Sequence, residues 1–112
     1  MQIFRLTEVP SVDGERELRV EGELDLAVAD RLQDALDGID AKRVLIDLGD
    51  CDFIDSTGIA VIVRADQRAR ESGGRVAIHS PSAPVLRVLS LSGLTENGLV
   101  FENRDRALSG TV

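Results

Sequence analysis

The stretch VLIDLGDCDFIDSTGIAVIV, Val44 to Val63, constrains this chain more than any other, because it sets two apolar runs on either side of an acidic loop. The first run, within Arg43–Leu48, suits a strand covered on both faces, as strands of parallel sheets are. It is expected to stop at GDCD, Gly49 to Asp52. The second run opens a helix predicted from Ser56 or Thr57 to Ser72, apolar nearly all round at its entry. Its later turns carry Asp66, Gln67, Arg68, Arg70 and Glu71, and Gly73 and Gly74 close it. A doubly covered strand leading into a helix with a buried entry end requires the helix to pack on the sheet that holds the strand.

The flanking sequence extends this unit. Ile3–Val9 and Glu17–Leu24 alternate with period two, Leu18, Val20 and Leu24 against Arg19, Glu21 and Glu23, and VDGE, Val12 to Glu15, reads as the turn of a hairpin. From Leu26 to Asp37 the spacing becomes helical, with Val28, Leu32, Ala35 and Leu36 on one stripe, Asp25 in the N-cap place and Gly38 at the end. A strand over Arg75–His79, a helix over Ala83–Ser92 with Pro84 in its first turn, a short strand over Leu99–Phe101 and a terminal helix over Asn103–Leu108 complete the prediction. The expected fold is α/β, a small mixed β-sheet flanked by about four helices, as a single domain over residues 1–112.

Composition bounds the function. Hydrophobic residues at 43% and charged residues at 29% are globular values, so the net charge of −7 is a surface property. Duplex nucleic acid is not the expected partner, because acids outnumber bases 20 to 13, whereas phosphate binding depends on lysine and arginine. A basic protein fits better. Ile59–Val63 is the longest fully apolar run, too short for membrane insertion, and the Met1 end lacks a signal-peptide pattern, so a cytoplasmic location is expected. One cysteine, Cys51, and one histidine, His79, offer neither a disulfide nor a Cys/His metal spacing.

The loop before the second helix ends in DSTG, Asp55 to Gly58, where sheets of this class gather ligands and partners. The plainest reading is structural: Asp55 or Ser56 caps the helix and Gly58 permits close packing. A serine hydrolase would need G-x-S-x-G, but Ile54 stands two before Ser56, and His79 would have to act as the base. A receiver domain would use Asp47 or Asp50 as phosphoacceptor together with a late-strand lysine, yet Lys42 is the only lysine and precedes the strand. A metal site from Asp47, Asp50, Asp52 and Asp55 matches no EF-hand spacing. In the fourth reading Ser56 accepts phosphate from a kinase, at a helix N-terminus where N–H groups and the dipole accommodate the anion. Beside Asp55, and beside Asp25 if the helices are arranged as expected, about −1.5 to −2 added charges would repel a partner.

The ordered series GELD (Gly22–Asp25), amphipathic helix, VLIDL, FIDSTG, GG-terminated helix and PVLRVLSLSGL (Pro84–Leu94) closely resembles the STAS-domain anti-sigma factor antagonist family over nearly the whole chain. Ile59 stands where the family often has Leu. The resemblance implies partner switching: the unphosphorylated protein binds an anti-sigma factor that is also a serine kinase, and phosphorylation ends the binding. By position it implies Ser56 as the acceptor, Thr57 in the second hydroxyl place, and Asp25, Asp55, Thr57 and Gly58 in the partner surface. A phosphatase acting on Ser56 would reset the switch. The protein would be no enzyme and need no cofactor, since the kinase carries ATP and Mg²⁺. STAS domains also serve anion transporters, stress-signalling assemblies and lipid-transport complexes; the length of the chain argues against a fused transporter. A STAS subunit of a lipid-transport complex is the first alternative, and a small hydrolase using Ser56 the second.

Overall fold

A computed structural model describes residues 3–10 and 14–110. Its elements in chain order are β1 (Arg5–Val9), β2 (Glu15–Leu24), α1 (Ala29–Asp37), β3 (Arg43–Ile54), α2 (Ser56–Glu71), β4 (Arg75–His79), α3 (Ala83–Leu91), a 3₁₀ turn (Leu94–Glu96), β5 (Val100–Phe101) and α4 (Arg104–Ser109). The predicted VDGE turn lies partly outside the described residues, at Val12 and Asp13.

The five strands form one mixed sheet in chain order, β1 antiparallel to β2 and the other neighbours parallel. Each parallel pair is joined through a helix, and crossovers of one hand put α1, α2 and α3 on the same face. There Leu32, Leu36, Val61, Ile62, Val85 and Leu89 share a core with Val44, Ile46, Val76 and Ile78 of the sheet. The alternate strand residues, Leu45, Ala77 and Phe101, face the other way and pack with Ala107 of α4. Strands covered on both faces were the expectation from VLIDL, and α4 supplies the second cover.

Three local expectations are corrected. Strand β3 does not end at Leu48 but runs on through Gly49–Ile54, because Glu21–Leu24 of β2 continue to pair with it across two register shifts. The bulges let GDCD stay extended, with Cys51 and Ile54 inward and the acidic residues outward. Helix α1 starts at Ala29, later than Leu26, and its N-cap is Val28 without a side-chain bond. Asp25 instead closes the turn before it, its Oδ1 accepting from Ala27 N at 3.0 Å and its carbonyl from Val28 N and Ala29 N. Asp66, read as part of a wet helix end, is buried: its Oδ1 accepts from Val76 N at 2.9 Å and its Oδ2 from Arg70 Nε at 2.8 Å.

Asp66 therefore fixes the C-terminal half of α2 to the start of β4. Asp66→Ala orphans the buried Val76 N–H and should cost about 2 kcal/mol by urea denaturation, while Asp66→Asn, which keeps an acceptor, should cost less. Equal losses for the two variants would remove this role.

Candidate functional site

Pairing with β1 ends at Glu21 and pairing with β4 ends at Asp47, so the last residues of β2 and β3 continue as a two-stranded ribbon beyond the sheet. The ribbon delivers two loops side by side. One carries Asp25 and Leu26, the other Asp55 and Ser56, and the backbone ties them through Asp55 N to Leu24 O at 3.2 Å.

Asp55 organises both loops. Its Oδ1 accepts from Thr57 N at 3.0 Å, Gly58 N at 3.1 Å and the Thr57 hydroxyl at 2.5 Å, which makes it the N-cap of α2. Its Oδ2 accepts from Leu26 N at 3.1 Å, across to the turn that precedes α1. Burial pushes the Asp55 carboxyl up, but the Thr57 hydroxyl and the N–H groups of Gly58, Leu26 and Thr57 outweigh it and hold the group below the usual aspartate value. Ser56 is exposed, and among the described residues nothing bonds its hydroxyl. Thr57 is half-buried with its hydroxyl engaged, and Gly58 is buried. Thus Asp25, Asp55, Ser56 and Thr57 come together at one end of the molecule, and Gly58 sits beneath them as a packing position.

Ser56 and His79 are not brought together. His79 points from β4 to the α4 face, where its Nε2 lies 3.0 Å from Glu17 Oε2 and its Nδ1 2.9 Å from Ser80 Oγ. Ser56 opens a helix on the opposite face, so the geometry gives the hydrolase reading no base. Asp47, Asp50, Asp52 and Asp55 likewise do not converge. Among the described residues the one set of three potential metal ligands is Glu17, Asp47 and His79, with atoms within 4.8 Å. Those groups are already engaged: Arg104 Nε donates to Glu17 at 2.7 Å, and Asp47 receives Gly49 N at 2.9 Å and faces Arg19 Nε at 3.4 Å. Cys51 is fully buried, and burial pushes its thiol up despite backbone bonds at Phe53 and Leu24, so it is unsuited as a nucleophile.

Residues 8–101 match the family described as Mlab, STAS domain. The chain belongs to the STAS domain family. Over 96 residues, 82% of each chain, it is 28% identical to the anti-sigma F factor antagonist of Paenibacillus polymyxa. An anti-sigma factor antagonist from Mycobacterium paratuberculosis superposes with a TM-score of 0.81 at 22% identity, over 96% of this chain and 94% of that one. SpoIIAA of Bacillus superposes with a TM-score of 0.77 in its unphosphorylated form, at 18% identity over 96% and 99% of the chains. Its phosphorylated form gives 0.73, at 16% identity over 94% and 97%. The mixed five-stranded sheet with four helices is thus the STAS fold. Among the described residues no helix is long and apolar enough to cross a membrane.

Two outcomes follow for this STAS domain. A Cβ on Gly58 would lie 2.8 Å from Leu24 Cγ and 2.9 Å from Leu24 O, so α2 approaches the ribbon as closely as it does only because the side chain is absent. Gly58→Ala should lose about 1–2 kcal/mol, overpacking minus the gain in helix propensity, as read from thermal melts. A variant as stable as the parent would show that α2 can shift outward freely.

The depressed Asp55 carboxyl links the site to pH. Because its folded value lies below its unfolded one, its stabilisation is complete above about pH 5 and is lost as pH falls through the folded value. Asp55→Asn should therefore flatten the acid limb of a melting-temperature profile below about pH 5, with no change in slope near neutrality. An unchanged acid limb would show that Asp55 is not the linked group.

Proposed function

We propose that this STAS domain is an anti-sigma factor antagonist that acts by partner switching. Unphosphorylated, it binds an anti-sigma factor that is also a serine kinase, which frees the sigma factor; phosphate on Ser56 ends that binding, and a phosphatase restores it. The domain serves as binding partner and phosphate acceptor, and the kinase supplies the ATP and Mg²⁺ chemistry. Kinship to the P. polymyxa antagonist supports the general role. One observation carries the choice of acceptor: of the two adjacent hydroxyls, Ser56 is exposed while that of Thr57 donates to Asp55 at 2.5 Å. Thr57 is half-buried with its hydroxyl turned into the cap, so it is less open to a kinase than the exposed Ser56.

The test is phosphopeptide mapping after incubation with each purified anti-sigma serine kinase of the source organism and Mg-ATP. Phosphate on Ser56 is expected, and Ser56→Ala should take up none. Phosphate mainly on Thr57 would overturn the assignment, and recovery of a transporter ATPase as the bound partner would favour the lipid-transport alternative.

A further inference from the structure

Single exposed apolar residues are ordinary on protein surfaces, but here they gather. Five large apolar side chains stand exposed among the described residues, and three of them, Ile3 at 63%, Leu26 at 72% and Phe53 at 43%, lie at the ribbon end. Leu26 donates its N–H to Asp55, next to Ser56. Phe53 pairs with Glu23 across the ribbon and alternates with the buried Ile54, so it points away from α1 and α2. Among the described residues no helix covers that face: α4 packs farther back, on β4 and β5. Ile3 crosses the ribbon at Gly22, whose positive φ of 94° and absent side chain admit its carbonyl.

The charge around these residues has one sign. Neither Val20–Asp30 nor Val44–Val63 contains a lysine or arginine. Among the described residues no ion pair reaches Glu23, Asp50, Asp52 or Asp55. A protein interface with an apolar centre and a charged rim has this composition, and its complement is an apolar pocket bordered by lysine and arginine.

We infer that Phe53, together with Leu26, anchors this domain in such a pocket of the partner kinase. The inference rests on the partner-switching reading and adds the contact surface to it. Because Phe53 lies on the ribbon face opposite the helices, the kinase must reach around the ribbon tip as well as over Ser56. Phosphate on Ser56 then enters a contact held on both sides.

Calorimetric titration of the parent, Phe53→Ser, Phe53→Leu, Leu26→Ser and Ser56→Asp against the purified anti-sigma serine kinases of the source organism tests this. Phe53→Ser should weaken binding about tenfold or more, Leu26→Ser by less, and Phe53→Leu should stay near the parent, all with unchanged thermal melts. Glu23→Gln with Asp52→Asn should slow association and flatten its salt dependence. Phe53→Ser binding within about twofold of the parent would overturn the anchor. If Ser56→Asp loses the kinase in that case, the switch stands alone. Conversely, a Phe53→Ser loss beside an unimpaired Ser56→Asp supports the anchor and removes the switch. A parent that binds none of these kinases overturns both, and salt-insensitive association of the parent overturns the basic border of the pocket.

Discussion

Replacing Arg104 by Met is expected to lower the unfolding free energy of this domain by about 3 kcal/mol, a drop of roughly 10 °C or more in melting temperature for a chain of this size. Glu17 is only 2% exposed, and its carboxylate is held from two sides by Arg104 Nε at 2.7 Å and His79 Nε2 at 3.0 Å. Without Arg104 the buried carboxylate keeps one partner and is poorly compensated. The low end of the usual range for a broken buried pair applies, because the Arg104 side chain is itself half-exposed and its attraction is partly screened. The hydrogen bond to Glu17 raises the Arg104 guanidinium above its ordinary value, against the burial that lowers it. A raised cation stabilises fully below its unfolded value and loses the effect only as pH rises through the higher folded one, so alkaline titration of Arg104 does not break the pair near neutrality. Glu17→Gln keeps an acceptor for Arg104 but turns an amide N–H₂ toward His79, which must then accept at Nε2 and donate from Nδ1 to Ser80, and should cost about 1 kcal/mol. In the double variant there is no buried charge to strand, so the two losses should sum to more than the measured total. Urea denaturation of the three variants decides; an Arg104→Met loss under about 1 kcal/mol would show the network to be dispensable.

None of that network was legible in the sequence, and the reason is distance along the chain. Glu17 and Arg104 are separated by 87 positions, and only the α4 face of the sheet brings them together. Periodicity did expose what depends on neighbours. Strand β4 at Arg75–His79 and the start of α2 at Ser56 were read within a residue, since Gly73 and Gly74 and the DSTG cap mark them locally. The prolonged β3 was missed because GDCD has turn composition, and only pairing with β2 across two bulges keeps it extended. Asp25 was misread for a related reason. An Asx turn and an N-cap need the same residue type, and the choice between them is set three residues later, where Val28 and not Asp25 begins the helical geometry.

The candidate site was read more fully than its supports. DSTG at a strand-to-helix junction predicts a capped N-terminus with a serine at its first position, and Asp55 does cap α2. Its second bond, to Leu26 N, could not be foreseen, because it joins two loops 29 positions apart. Phe53 did leave a signal. Phe53 and Ile54 are consecutive apolar residues, and in an extended strand consecutive side chains point to opposite faces. Both can be buried only where both faces are covered, as at Val44–Ile46, and on the ribbon Phe53 stays exposed while Ile54 is buried.

Phosphorylation of Ser56 should weaken partner binding by roughly two orders of magnitude or more while leaving the fold in place. The structure alters the expected reason for tolerance. A phosphate at a helix N-terminus is ordinarily received by the first N–H groups, but Asp55 already holds those of Thr57 and Gly58. The phosphate must therefore face solvent or displace the cap, and either way it adds about two negative charges beside a carboxylate that is ionised at neutral pH. Competition for the cap should cost the domain no more than about 1 kcal/mol, the scale of one capping interaction. At the partner surface the same charge must be stripped of water beside the Asp55 carboxylate, so its desolvation and its repulsion from Asp55 both count against the contact. Ser56→Asp should copy part of the effect with its single charge, and salt should narrow the gap between its affinity and the parent's, because contacts beyond about 10 Å are screened at roughly 0.1 M. Ser56→Ala should bind as the parent does and never be released by the kinase. Circular dichroism, thermal melts and titrations at low and high salt on the four forms separate charge from refolding. Unfolding of the phosphoprotein, or parental affinity in Ser56→Asp at low salt, would each defeat the electrostatic switch.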